Sequence, residues 1–254
     1  MPKVSVYIIA YNEEEKIEDA LKSVVWADEV VVLDSFSTDR TVEIARRYTD
    51  SIVETPFEGF GKLREEAVRH TSHEWVLSLD SDERCTPEAR DEILSVVNDP
   101  GAADAYYIPR RNIFMGRWIR HCGWYPNYRQ PQLFRRACLS YKDDLVHEGF
   151  EVQGRVGYLK NAIHQAPFLN LSQVIAKMER YSALGARGLL QKGVRGGMWK
   201  ALLRGLGAFF RIYILRLGFL DGWAGFVIAL SNFEGTFYRY AKLTEMQKGR
   251  QKGT

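Results

Sequence analysis

The chain has 254 residues, 46% of them hydrophobic and 26% charged, with a formal net charge of +3. This is an ordinary globular composition, and the length suits one large domain or a domain with an appended unit, large enough to need no disulfide staples. The three cysteines, Cys85, Cys122 and Cys138, are odd in number and include no CxxC pair, which argues against a disulfide framework or structural zinc and for reduced thiols in a cytoplasmic setting.

The chain begins directly with a strand-like run at residues 4–10, so no secretory signal is expected. A helix is predicted over 13–24, with acidic residues in its first turn. A strand follows at 29–33, then a helix to Arg47 for which Thr38 and Asp39 offer caps. Residues 51–54 read as a short strand, 61–70 as a helix, 75–79 as a strand, and 87–97 as a helix opened by Pro87. Strands alternating with helices predict an α/β fold, a mostly parallel sheet with helices on both faces. Residues 104–165 interleave Tyr106, Tyr107, Trp118, Trp124, Tyr125 and Tyr128 with Arg110, Arg111, Arg117, Arg120 and Arg129. Short strands and long loops are expected there, shaping either an acceptor pocket or a structural hairpin with solvated arginines. From Asn170 the pattern turns helical. The expected division is a domain over 1–168 and a basic, amphipathic helical extension over 169–254.

Charge is unevenly placed. Residues 1–154 hold 19 Lys/Arg against 28 Asp/Glu, a net of −9, and residues 155–254 hold 16 against 4, a net of +12. A basic tail of this kind attracts nucleic acid or anionic lipid.

Three strand ends carry polar side chains. Leu77-Ser-Leu-Asp80-Ser81-Asp82-Glu83 sets three carboxylates within four residues. Such a cluster repels itself unless a cation or an arginine sits in it, and a hard divalent ion with substrate phosphates would resolve that cost. An isolated D-x-D is also a common polar turn. Asp34-Ser-Phe-Ser37-Thr38-Asp39 could bind a ribose or base, or could form an Asx turn and helix cap. Tyr11-Asn12-Glu13 ends the first strand and reads equally as a helix start. Each segment alone admits the structural reading. All three together belong at one edge of one parallel sheet, where ligands of such sheets bind.

In order and spacing these three segments resemble the family 2 glycosyltransferases with a GT-A fold. The later segments Leu145-Val-His147-Glu148, Ile163-His164 and Lys177-x-x-x-Tyr181-Ser182 are similar to the lipopolysaccharide core glucosyltransferases of the WaaE/KdtX type. The resemblance implies a UDP-sugar donor bound by Tyr11, Asn12, Glu13, Asp34, Ser35, Asp80 and Ser81. It also implies Mg2+ or Mn2+ held by Asp80 and Asp82, and an inverting transfer of a hexose, glucose by resemblance, to a lipid-linked or lipopolysaccharide core acceptor. Relatives often carry an Asn in the helix near Gly61; this chain does not, and Lys62 or Arg64 is the candidate for the diphosphate instead. Glu148 is the implied base, with Asp144 in reserve and His147 beside them. His164 reads either as a metal or phosphate ligand or as a packed histidine.

Residues 200–231 are apolar but interrupted by Arg204, Arg211, Arg216 and Asp221. A charge at the bilayer centre costs about 2.5–3.5 kcal/mol, so these helices are expected to lie in a membrane interface with Lys200, Arg204 and Arg211 toward lipid phosphates. Packing on the core or oligomerisation is the alternative. Gly222 and Gly225 are expected to form a turn between helices. The resulting expectation is a cytoplasmic enzyme on the inner face of the cytoplasmic membrane, with no nucleic-acid partner. Two other classes remain: a nucleotidyltransferase, which would need a Gly-rich basic loop absent after the first strand, and a membrane- or RNA-binding module without catalysis, which leaves Asp34, Asp80 and Asp82 unexplained.

Overall fold

A computed structural model describes residues 2–142 and 149–251. In chain order its elements are β1 (Val4–Ala10), α1 (Ile17–Lys22), β2 (Glu29–Asp34), α2 (Thr41–Ala45), β3 (Ile52–Glu54), α3 (Phe60–Arg69), β4 (Trp75–Asp80), β5 (Glu83–Arg84), α4 (Pro87–Val97), β6 (Ala105–Tyr107), β7 (Arg110–Phe114), β8 (Arg117–Trp118), β9 (Leu133–Arg135), β10 (Leu139–Lys142), β11 (Gly149–Val152), β12 (Val156–Tyr158), β13 (Ile163–Gln165), α5 (Leu171–Gln191), α6 (Met198–Phe210) and α7 (Gly222–Gln251). Two compact units result: Met1–Arg111 with Pro126–Gln165, and Asn112–Tyr125 with Ala166–Thr254.

The first unit is built on a seven-stranded sheet of order β12-β6-β9-β4-β1-β2-β3. β1 runs parallel to β2 and β4, β2 runs parallel to β3, and β9 is antiparallel to both β4 and β6. Every residue of β1 is buried, as befits a central strand covered on both faces. Its Val4, Val6 and Ile8 pack with α1, α2 and α4 residues such as Leu21, Ile44 and Ile93. Tyr7 and Ile9 point the other way, toward Leu63, Ala67 and Val68 of α3 and Leu139 and Tyr141 of β10. This is the period-two alternation of a strand feeding two cores.

The predicted helix at 13–24 is shorter than expected, Ile17–Lys22, and the N–H groups just before it are taken by three side chains from the β2–α2 loop and the first residue of α2. Asn12 N–H donates to Ser37 Oγ (2.8 Å), Glu13 N–H to Thr41 Oγ1 (2.8 Å) and Glu14 N–H to Asp39 Oδ2 (3.1 Å). Asn12 itself takes a left-handed conformation, φ 54°. α2 likewise stops at Ala45, short of the expected Arg47. α4 runs as predicted, capped by Thr86 and opened by Pro87, and the Asn170 side chain caps α5.

In the second unit α5 and α6 both pack on α7, around a core that includes Phe114, Ile119, Cys122, Ile212, Ile228 and Ala229. α6 passes through a π-helical turn, Arg211–Leu215, and a 3-10 turn, Gly218–Asp221, into α7. Of the two glycines expected to make the turn, Gly222 does so, with φ 61°. Gly225 lies inside α7 instead. A Cβ there would sit 1.9 Å from the Gly218 carbonyl oxygen, so its bare backbone is what admits the approach of the elbow. Asp221 is buried, accepting from Arg120 N–H (3.1 Å), His121 N–H (2.8 Å) and His121 Nδ1 (3.1 Å). It therefore does not interrupt the outer apolar face, as the linear sequence suggests.

Candidate active site

The parallel register brings the three strand ends together. Ala10 pairs with Asp34 and Ile9 with Asp80, so the ends of β4, β1 and β2 lie side by side at one sheet edge. That edge is the ligand edge of open α/β sheets.

The first two loops are bonded mainly to each other. Asp34 is fully buried, and its two oxygens accept from Ser37 N–H (2.7 Å) and Ser37 Oγ (2.5 Å). Asn12 Oδ1 accepts from Thr38 N–H (2.8 Å). The Asx-turn reading of this segment thus holds in the structure, and each acceptor oxygen keeps a further lone pair for a ligand. Glu13 pairs with Lys16 at 3.1 Å, while burial pushes its carboxyl up from the ordinary value. Tyr11 is exposed, and Ser35 is buried with its hydroxyl unpartnered.

The carboxylate turn is organised by arginines. Asp80 accepts from Arg64 Nη2 at 2.8 Å, and Arg64 Nη1 also donates to Ser78 Oγ. Burial pushes the Asp80 carboxyl up, but Arg64 and then Arg110 outweigh it and hold the group below the ordinary carboxylate value. Glu83 is wholly buried. It accepts from Arg110 Nε (2.5 Å), Gln132 Nε2 (2.9 Å) and the Asp80 N–H (3.0 Å), the last closing the turn. Burial raises its carboxyl to about 6; Arg110 opposes the rise, while Asp80 and Asp82 add to it.

Asp82 has a different role open to it. It is half-buried, and its oxygens accept from Gln165 Nε2 at 3.2 and 3.3 Å. β13 carries Gln165 opposite Glu83 and His164 opposite Arg84. Gln165 is buried, and its Oε1 has no partner. Among the described residues no three His, Cys, Asp or Glu side chains converge as a metal-binding group. A Mg2+ or Mn2+ ion using one or two carboxylates and a substrate diphosphate needs no such cage. The half-exposed Asp82 carboxylate beside an orphaned amide oxygen fits that kind of ion. Asp80, neutralised by Arg64, fits as a weaker second ligand. His164 is half-buried, and burial, with Arg111, lowers its imidazole below the ordinary value.

Other expected residues fall as follows. Lys62 is on the exposed first turn of α3, 3.0 Å from Glu58. Ser81 is buried, and its carbonyl accepts from Arg84 Nη1. Glu148, Asp144 and His147 lie outside the described residues. In the Arg/aromatic stretch, Arg110 is a buried structural cation, whereas Tyr107, Tyr128 and Tyr158 form a ring cluster with centroids 5.1–5.8 Å apart. Sequence reasoning gave no role to Gln132, Gln165 or the Arg110–Glu83 pair. Arg64, named with Lys62 as a candidate for the diphosphate, is buried and bonded to Ser78 and Asp80.

Residues 5–159 match the family described as glycosyl transferase family 2. An uncharacterized glycosyltransferase of Rickettsia bellii is 27% identical over 256 residues, 96% of this chain and 87% of that protein. The lipopolysaccharide core biosynthesis glycosyltransferase LpsC of Rhizobium meliloti is 27% identical over 262 residues, 96% of this chain and 93% of that protein. The crystal structure of S. aureus TarS 1–349 aligns with a TM-score of 0.51 at 17% identity, over 97% of this chain and 91% of that one. The fold is of the GT-A type. Because the family match spans more than half of its length, the chain belongs to glycosyl transferase family 2.

Proposed function

We propose that the protein is a metal-dependent, inverting hexosyltransferase that moves a hexose, glucose by resemblance, from a UDP-sugar to a lipid-linked acceptor of the lipopolysaccharide core kind. The acceptor class is supported by the similarity to LpsC along nearly the whole chain. The observation that carries the donor side is Asp82, a half-exposed carboxylate at the ligand edge with the unpartnered Gln165 Oε1 beside it. Asp82, with Asp80, would hold Mg2+ or Mn2+, which neutralises charge on the departing diphosphate when bound. Asn12, Asp34 and Ser35 line the nucleotide side, and Tyr11, Glu13, Lys62 and Ser81 flank it.

The reaction is a single displacement. An acceptor hydroxyl oxygen bonds to the anomeric carbon as the bond from that carbon to the diphosphate breaks. The hydroxyl proton passes to a carboxylate, for which we propose Glu148, with Asp144 and His147 beside it. The nucleoside diphosphate leaves with the bonding pair. Arg64 keeps Asp80 ionised throughout. A thermal-shift screen of UDP, UDP-glucose, ADP, GDP and CMP, each with and without Mn2+, tests the donor. UDP ligands are expected to raise Tm only with the metal; no nucleotide response would remove the transferase reading.

The acceptor is met at a membrane surface, on the cytoplasmic side. Trp199 (79% exposed), Leu203, Phe210, Leu215 (77%) and Trp223 (68%) project from α6, the elbow and the start of α7. Exposed Arg204, Arg211 and Arg216 lie among them. Lys200 does not join this face; it donates to the Arg195 carbonyl and lies 5.7 Å from the Tyr240 ring centre. Among the described residues no single helix is long and apolar enough to cross a membrane, although Met198–Leu215 and Gly218–Gly249 pass that test as a pair bent by 70°. An apolar face with basic flanks suits the interface of an anionic bilayer. The protein is expected to float with vesicles rich in phosphatidylglycerol and not with pure phosphatidylcholine, and Leu215→Ser with Trp223→Ser should abolish flotation. Concentration-dependent dimerisation in place of flotation would make the face a contact between copies.

A further inference from the structure

The ligand edge of the seven-stranded sheet continues past the acidic turn, into strands to which the donor chemistry gives no role. β9 is antiparallel to both β4 and β6, and β12 is parallel to β6. β4, β6 and β12 therefore all run the same way, and their last residues, Asp80, Tyr107 and Tyr158, come to the same edge. β6 lies two strands from β4 and β12 three, roughly 10 and 14 Å at the usual strand spacing of about 4.8 Å. The nucleotide loops after β1 and β2 lie on the other side of β4.

Tyrosines gather at this end of the edge. Tyr107 and Tyr158 are register partners, and their rings stack with planes 16° apart and centroids 5.2 Å apart. Tyr128 stands across both, at 67° and 68°. One face of Tyr158 is taken by Tyr107, yet the residue is 61% exposed, and Tyr128 is 39% exposed. The result is an open corner with one ring as floor and another as wall. The segment that carries Tyr128 is held at both ends. Arg110 N–H donates to the Pro126 carbonyl (2.9 Å) and Arg110 Nη1 to that of Asn127 (3.0 Å). Gln132 N–H donates to the Tyr106 carbonyl (2.9 Å). Arg110 and Gln132 both bond to Glu83, so the corner is fixed to the turn that carries Asp80 and Asp82. Arg129, next to Tyr128, is near enough to Asp80 to help hold its carboxyl down.

Protein, nucleic acid and carbohydrate all use exposed aromatic rings, and size and charge separate them. A standard protein interface takes about 800 Å² from each partner. Aromatic side chains offer about 150–250 Å² each when wholly free, and these three cover one another. A single-stranded nucleic acid stacks on such rings but needs a basic groove for its phosphates, and residues 1–154 carry a net charge of −9. A neutral sugar ring needs neither a wide surface nor a cation. Its C–H face lies against the negative face of an aromatic ring, and its rim of hydroxyls stays in water. We propose that Tyr158 and Tyr128, set by Tyr107, form a stacking subsite for one neutral pyranose ring of the acceptor. The proposal deepens the acceptor reading above and rests on it for the acceptor role. The reacting hydroxyl then lies toward Asp82, and the acceptor's sugar chain follows the strand ends toward β12.

Saturation-transfer NMR on the full chain tests this, with maltose, lactose and mannobiose as probes and octanoate and oligouridylate as controls. Saturable binding of at least one disaccharide is expected, with transfer strongest at the protons of one C–H face. Tyr158→Ala and Tyr128→Ala should each weaken it by about tenfold, while Tyr158→Phe, which keeps the ring, should stay within about threefold of wild type. Both positions are exposed, so the fold should survive, and an unchanged UDP–Mn2+ thermal shift in the variants reports that. Binding of none of the disaccharides, binding unchanged in both alanine variants, equal losses in Tyr158→Phe and Tyr158→Ala, or tighter binding of octanoate or oligouridylate would overturn the proposal. A wild type that keeps its UDP response and binds no disaccharide would remove this subsite and leave the transferase reading standing. Disaccharide binding without any UDP response would sink the transferase reading and leave the subsite standing.

Discussion

Asp82→Asn is expected to abolish the metal-dependent part of the UDP thermal shift and to lower turnover by about 10²–10³-fold. A ligand at 100 times its Kd stabilises by about 2.7 kcal/mol, and in a chain of this size 1 kcal/mol moves Tm by about 2–4 °C. The wild-type shift should thus be about 5–10 °C. The predicted rate loss corresponds to about 3–4 kcal/mol of charge stabilisation at the leaving diphosphate. Asn keeps the shape of Asp and can still meet the Gln165 amide, so the ligand-free Tm should scarcely move. A variant that retains a full Mn2+-dependent shift would exclude Asp82 as the ligand.

Glu83→Ala should act on stability before it acts on chemistry. It would leave Arg110, 2% exposed, as a buried cation without its carboxylate. Breaking such a pair costs about 3–5 kcal/mol, to be read as a lower urea midpoint. Adding Arg110→Met should recover much of that loss, because the uncompensated charge goes with it. The pH dependence has a defined sign. The folded Glu83 carboxyl sits at about 6, above the ordinary glutamate value of 4.5. The folded state therefore takes up a proton as pH falls from about 6 to 4.5, and the penalty of burying the charged form declines in that window. Asp80 has the opposite sign. Its folded value is depressed, so its contribution is present above the unfolded value of 3.8 and is lost as pH falls through the folded value. Glu83→Gln should remove the first effect and leave the second. A wild-type stability profile identical to that of Glu83→Gln between pH 4.5 and 6 would show that Glu83 carries no such burden.

Glu83 also illustrates how one line of sequence conceals two roles. In the run Asp80-Ser81-Asp82-Glu83 all three acids look alike. The fold gives Asp80 to Arg64, Glu83 to Arg110 and Gln132, and leaves Asp82 half-exposed. The partners come from 16, 27 and 49 residues away, so no local pattern could sort the three. The loop between β1 and α1 is similar. Its acidic first turn reads as a helix start, yet Ser37, Asp39 and Thr41 take its N–H groups from 25–28 residues away.

The sequence by itself determined the alternating strands and helices, the three polar strand ends and the family they belong to. It could do so because hydrophobic periodicity and the helix-opening Pro87 act within a few residues of themselves. The contrast between an acidic first part and a basic tail was equally legible, as a matter of composition. Tertiary structure alone decided that Asp80 is bonded to Arg64, that Arg110 is a buried counter-ion, and that Asp221 lies inside the elbow. Each of these depends on which distant groups meet out of water. A buried charge or hydrogen-bonding group is stable only beside a partner, and that partner is chosen by the packing of sheets and helices.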